Sequence, residues 1–112
     1  MSGVEKPKIG AYQRHLLVCT GPRCTPNGES GALFDSLGER LKAAGLSTGE
    51  ARVKRTRTGC FAACKGGPVM CVQPDGVWYY DVTPANLKRI VDEHLVGGVP
   101  VEALIFHRGP GA

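Results

Sequence analysis

Cysteine is the residue in this chain whose number and spacing could do chemistry. There are five in 112 residues. Cys60 and Cys64 have three residues between them in Gly59-Cys-Phe-Ala-Ala-Cys-Lys-Gly-Gly-Pro68, and Cys19 and Cys24 have four between them beside Gly21 and Pro22. Glycine and proline let a backbone bend tightly around a bound group, and thiolates are soft ligands for iron or zinc. Four clustered thiolates with one thiol to spare divide five more naturally than disulfides do, since a disulfide framework would strand one cysteine. The spare is Cys71, which lies in the apolar run Val69-Met-Cys-Val and reads as a small buried hydrophobe. No Cys-x2-Cys pair of the dithiol-exchange kind is present. His15, His94 and His107 lie away from the cysteine pairs, which disfavours a mixed cysteine–histidine Rieske set and leaves them as packing or surface groups. An iron–sulfur cluster and a four-thiolate zinc site both remain open from spacing alone.

The rest of the composition is that of an ordinary folded domain, with 21% charged and 42% hydrophobic residues. No apolar run approaches the roughly 18 residues of a membrane span. Met1 to Gly10 carries Glu5, Lys6 and Lys8 and lacks the apolar centre of an export signal, so the expected compartment is the cytoplasm, where thiols stay reduced. The length suits a single domain over residues 1–112, with 1–12 and 107–112 expected to be loose. The formal charge is +4 without any cofactor, and a [2Fe–2S] unit on four thiolates would add about −2 in its oxidised form.

The elements that must carry the cysteines follow from periodicity. Arg14 to Cys19 is a short apolar run stopped by glycine and proline and reads as a strand, which puts Cys19 at its carboxyl end. Thr20 to Gly28 is loop. Leu33, Phe34, Leu37, Leu41 and Ala44 recur at helical spacing from Glu29 to a stop at Gly45. Glu50 to Thr58 reads as a second strand with one wet face, and the cysteine loop follows it. Pro74-Asp75-Gly76 between the β-rich runs Pro68 to Gln73 and Val77 to Val82 signals a hairpin. Thr83 and Pro84 open a second helix striped by Leu87, Ile90, Val91 and Leu95 and closed by Gly97-Gly98. Val101, Leu104 and Phe106 are expected to dock the C-terminal segment on the core.

The order β-α-β followed by β-β-α predicts an α/β fold of thioredoxin-like type, a mixed sheet with flanking helices. A β-α-β crossover makes its two strands parallel, so their carboxyl ends share one edge of the sheet. Cys19 and Cys60 each follow such an end, which brings two cysteine pairs distant in sequence to one rim, where α/β sheets tend to bind ligands.

Leu17-Val-Cys-Thr-Gly-Pro-Arg-Cys24, Thr58-Gly-Cys-Phe-Ala-Ala-Cys-Lys-Gly-Gly-Pro68, Pro74-Asp-Gly-Val-Trp-Tyr79 and Gly97-Gly-Val-Pro100 together resemble the thioredoxin-like [2Fe–2S] ferredoxins and the related subunit of NADH dehydrogenases and hydrogenases. The likeness covers Arg14 to Phe106. It implies a one-electron carrier rather than an enzyme, with one [2Fe–2S] cluster on Cys19, Cys24, Cys60 and Cys64. It also implies that homodimers occur. Many free ferredoxins of the family have a longer insertion between the first two cysteines, and the four-residue spacing here matches the dehydrogenase subunit. On this view Gly59, Gly66 and Gly67 admit backbone amides to the sulfurs.

Arg52, Lys54, Arg55, Arg57 and Lys65 crowd the approach to the cysteine loop. A solvated strand face is the ordinary explanation, and docking of an acidic redox partner is the functional one. Nucleic acid is disfavoured because no aromatic platform or recognition motif accompanies the charge. Trp78, Tyr79 and Tyr80 read first as sheet packing and second as a subunit interface. The competing function is a zinc-stabilised four-cysteine module that binds protein and has no redox activity.

Overall fold

In a computed structural model of the chain, which describes residues 3–21, 25, 27–61 and 65–109, the run Arg14–Cys19 forms strand β1 near the middle of a five-stranded sheet. Helix α1 spans Glu29–Ala43 and ends where Gly45 takes φ 74°. Strand β2 (Val53–Thr58) returns parallel to β1 in the register Arg14 with Val53 through Cys19 with Thr58. Strands β3 (Met70–Gln73) and β4 (Val77–Tyr79) form the hairpin on Pro74-Asp75-Gly76. Helix α2 (Pro84–Arg89) starts at Thr83, whose side chain accepts from the Asn86 amide, and passes without a break into a π-helical segment, Ile90–Val96. Strand β5 (Ile105–Arg108) follows a short 3₁₀ turn, Glu102–Leu104. The sheet order is β2-β1-β3-β4-β5, with β1 and β2 parallel and the other pairs antiparallel. The mixed α/β sheet with two helices is therefore as the sequence predicts.

Both helices cover one face. Leu16, Val18, Val53, Met70, Val72, Val77 and Tyr79 alternate along the strands and share one core with Leu33, Leu37 and Leu41 of α1 and with Leu87, Ile90, Val91 and Leu95 beyond Thr83. Cys19 and Val69 pack instead with Phe61 and Trp78 in a second cluster. Among the described residues no helix is long and apolar enough to cross a membrane.

Two boundaries and one burial differ from expectation. Strand β2 begins at Val53 rather than Glu50, because the amide of Arg52 turns back to Gly49 and that of Val53 to Leu46. His107 and Arg108 belong to β5, which is paired to Trp78 and Val77, so the loose terminus expected from residue 107 does not start there. Phe106 stands 45% exposed, whereas Ile105 packs on the core. A register shift between Trp78 and Tyr79 pairs Tyr79 with Ile105 and leaves Phe106 out of the ladder.

The amino end of β1 meets a buried polar chain that no spacing in the sequence announced. Tyr79 Oη lies 2.7 Å from His94 Nδ1, and His94 Nε2 lies 2.7 Å from Asp75 Oδ2. Arg14 Nε donates to the same carboxylate at 3.2 Å, and the Val101 amide donates to Tyr79 Oη at 3.0 Å. With Val101 donating to it, Tyr79 can pass its own proton to Nδ1 and leave Nε2–H for Asp75, so that every donor meets an acceptor. Burial pushes the Asp75 carboxyl up, but the hydrogen bonds and charges of His94 and Arg14 outweigh it and hold the group below its usual range.

Candidate metal centre

The two cysteine loops are joined where the parallel strands end. The Thr20 amide donates to the Thr58 carbonyl at 3.0 Å and Thr20 Oγ1 to the same oxygen at 2.6 Å, while Thr58 Oγ1 donates to the Val18 carbonyl at 3.2 Å. The Cys19 amide is taken by the Val69 carbonyl at 3.1 Å. Cys19 is therefore fixed from both sides by backbone. Its thiol points across the rim, with Sγ 3.4 Å from the Gly59 carbonyl that precedes Cys60.

Gly21 sharpens the junction. A Cβ added there would stand 2.7 Å from the Gly59 oxygen and 3.5 Å from the Cys60 Cα, so only glycine lets the first loop lie on the second. Cys19 is 1% exposed, while Cys60 is exposed at the outer side of the same rim. Cys24 and Cys64, the other two expected ligands, lie outside the described residues. Among the described residues no group of three or more His, Cys, Asp or Glu side chains could hold a metal ion. Two thiols from separate loops, held at one rim by a contact that a Cβ would break, fit the soft donor set that a cluster requires.

Cys71 is excluded from that set by its surroundings. It is fully buried in β3, its sulfur accepts from Gln73 Nε2 at 3.2 Å, and burial pushes its thiol up to about 11. A group so reluctant to lose its proton is a poor ligand. The glycines of the cysteine loop have a structural task as well: the Gly66 carbonyl accepts from the Asp81 amide at 2.7 Å, which ties the loop to the end of β4.

On the sheet's outer edge, β2 carries three of the five cations read from the sequence, Lys54, Arg55 and Arg57. Phe34 of α1 lies under both Arg55 and Arg57, whose guanidinium carbons are 4.3 Å and 4.8 Å from its ring centre. Arg55 also donates to the Phe34 carbonyl at 3.1 Å and fills the notch left by Gly38, while Arg57 stands 3.6 Å from Asp35. Lys54 lies over the Tyr12 ring on the other face. Arg52 adjoins this row and Lys65 is exposed in the cysteine loop. Because the Arg52 and Thr58 carbonyls bond inward to Gln13 and Thr20, the alternate residues Arg55 and Arg57 turn their backbone groups away from β1.

Two of the three histidines have other partners, His94 fully buried in the polar chain and His15 bonding Thr56 Oγ1 at 2.7 Å, while His107 sits in β5 beside Trp78. Of the aromatic run at β4, Tyr79 is buried in the core, Trp78 is half-buried beside Phe61, and Tyr80, just past the strand, is exposed against Phe106.

Known proteins match this arrangement. A profile of the thioredoxin-like [2Fe-2S] ferredoxin family matches residues 6–95. A putative 2Fe-2S ferredoxin of Priestia megaterium is 42% identical over 99 residues, covering 88% of this chain and 74% of that protein. A 2Fe-2S ferredoxin of Aquifex aeolicus is 54% identical over 54 residues, and that match spans only 49% of its length. The crystal structure of the wild-type thioredoxin-like [2Fe-2S] ferredoxin from Aquifex aeolicus superimposes with a TM-score of 0.75 at 36% identity, covering 88% of this chain and all of that one. The chain thus belongs to the thioredoxin-like [2Fe-2S] ferredoxin family, electron carriers with a [2Fe-2S] cluster and not enzymes.

Proposed function

We propose that Cys19, Cys24, Cys60 and Cys64 together hold a single [2Fe–2S] cluster at the carboxyl ends of β1 and β2. The observation that carries this reading is the Cys19 thiol aimed at the Gly59 carbonyl, with Gly21 lying against the Gly59–Cys60 backbone. A [2Fe–2S] cluster so held would supply one-electron chemistry, its reduced form carrying one more negative charge than its oxidised form. The chain's own part is to present the thiolates, bury the Cys19 side and leave the Cys60 side towards solvent. Protein purified without air is expected to contain iron and acid-labile sulfide with visible absorption, and a paramagnetic signal on reduction. Colourless protein with stoichiometric zinc would overturn the assignment.

The docking surface is the edge of β2 with Arg52, Lys54, Arg55 and Arg57, extended by Lys65. Support comes from Phe34, which holds two guanidiniums in place, that of Arg57 also beside Asp35, and from the closeness of Arg57 and Thr58 to Cys60 in the chain. An acidic redox partner suits it, since charge complementarity speeds encounter more than it tightens a complex. The exposed pair Tyr80 and Phe106, edge to face at 6.2 Å, supports association with a second copy, which light scattering over a broad concentration range tests. The cytoplasm is the compartment we infer, on the reduced thiols that the assembly requires.

A further inference from the structure

Phe61 and Trp78 form a contact that the main core does not use. Neither belongs to the large apolar cluster under the helices; both pack instead on Cys19 and Val69, on the opposite face of the sheet. Their rings meet edge to face, 5.0 Å between centres at 83°. Phe61 follows Cys60 directly, so a fixed Phe61 ring fixes the backbone that carries the Cys60 sulfur. Trp78 is held in turn by its ladder partners, Cys71 in β3 and His107 in β5, and by the edge of the His107 ring at 6.3 Å. No described helix covers that face, and the apolar groups packed with Cys19 there are Val69 and these two rings.

We propose that Trp78 is a positioning residue for the metal centre: acting through Phe61, it closes the sheet side of the thiolate site to water and so holds the reduction potential down. The inference rests on Cys19 and Cys60 being cluster ligands. The physical reason is that water reaching the sulfurs donates hydrogen bonds, which favour the more negatively charged reduced state; excluding that water favours the oxidised one. Polar outer-sphere partners are known to tune metal sites strongly, and an aromatic cover acts on the same quantity by controlling solvent access. The arrangement also makes the site one-sided, with Cys19 sealed and Cys60 facing outwards.

The chain contains one tryptophan, which makes the test direct. In the cluster-loaded protein, Trp78→Leu is expected to move the potential positive and to speed bleaching of the visible bands by a chelator on the order of tenfold. Trp78→Phe keeps a ring edge for Phe61 and should lie nearer the wild type in both readouts. Wild-type tryptophan emission should be strongly quenched in the loaded protein and recover when the cluster is removed. A leucine variant with unchanged potential and bleaching rate, equal displacement by Phe and Leu, or emission indifferent to loading would each overturn the proposal. Should Trp78→Leu fail to fold, Phe61→Leu, which lies outside the strands, takes its place with the same expected shift. Cys60→Ser tests separately the ligand assignment on which the inference rests: an intact cluster spectrum there would overturn both, whereas a lost spectrum together with an unmoved Trp78→Leu potential would overturn the role of Trp78 alone.

Discussion

At one end of β1, Arg14 meets Asp75 and, through it, the buried His94 and Tyr79; at the other end, Cys19 faces the Gly59 carbonyl and the cysteine loop. Both ends bury polar groups in a sheet whose interior is otherwise apolar. They differ in who satisfies them. In the histidine chain each donor finds an acceptor within the protein, and among the described residues no buried side-chain nitrogen or oxygen lacks a hydrogen-bond partner. At the cysteine rim the backbone is equally well tied, and the Cys19 thiol meets the Gly59 carbonyl; on our proposal the thiols there await a cluster that the polypeptide does not provide. One end is finished by folding alone, and on our proposal the other is finished by loading. A closed polar network rigidifies a fold, whereas a converging set of thiols defines a site.

The sharpest way to break that contrast is to remove one sulfur. Cys60→Ser should abolish or badly perturb the visible spectrum, whereas Cys71→Ser should leave it intact; bleaching in the second variant would show that the buried thiol is a ligand after all. Next comes the opposite end. His94→Leu strands the Tyr79 hydroxyl in the core and should lower unfolding free energy by about 3 kcal/mol in denaturant titrations. It should do so without moving the reduction potential, and a shifted potential would mean that the two ends are coupled. A third test concerns the edge of β2. Arg55→Glu with Arg57→Glu should slow electron transfer to an acidic acceptor by about tenfold at low salt, the difference shrinking as salt rises, with the potential unchanged. The smallest effect is on acid stability. The folded Asp75 carboxyl lies below its ordinary value, so its contribution is present above the unfolded value near 4 and is lost as pH falls through the lower folded one. Asp75→Asn should therefore flatten the acid limb of stability against pH; an unaltered limb would mean that the carboxylate carries none of it.

Much of the rim was legible because its signals are local. Gly21 and Pro22 mark the end of β1, Pro74-Asp75-Gly76 fixes the hairpin, and Thr83-Pro84 fixes the start of α2; parallel pairing then follows from the β-α-β order. What escaped depends on partners far away in sequence. Strand β5 reads Ile-Phe-His-Arg, with no clean alternation, and is made a strand only by pairing to β4. His94 gains its partners from the hairpin turn and from β4, and the π-helical turns that carry it have no distinctive spacing. Trp78 was read as sheet packing, which is true of its backbone; that its ring reaches Phe61 beside Cys60 required the register. Spacing singles out the thiols as candidates, but it does not name what stands behind them.

The contact of Gly21 with the Gly59–Cys60 backbone restricts how this chain can change length. Residues added between Cys19 and Gly21 would lift the first loop off the Gly59–Cys60 backbone, although Cys19 itself stays in β1. The same residues added beyond Gly21 leave that junction untouched. Insertions before the second cysteine are thus channelled to one side of a single glycine, and grafted loops of different length should be tried there first.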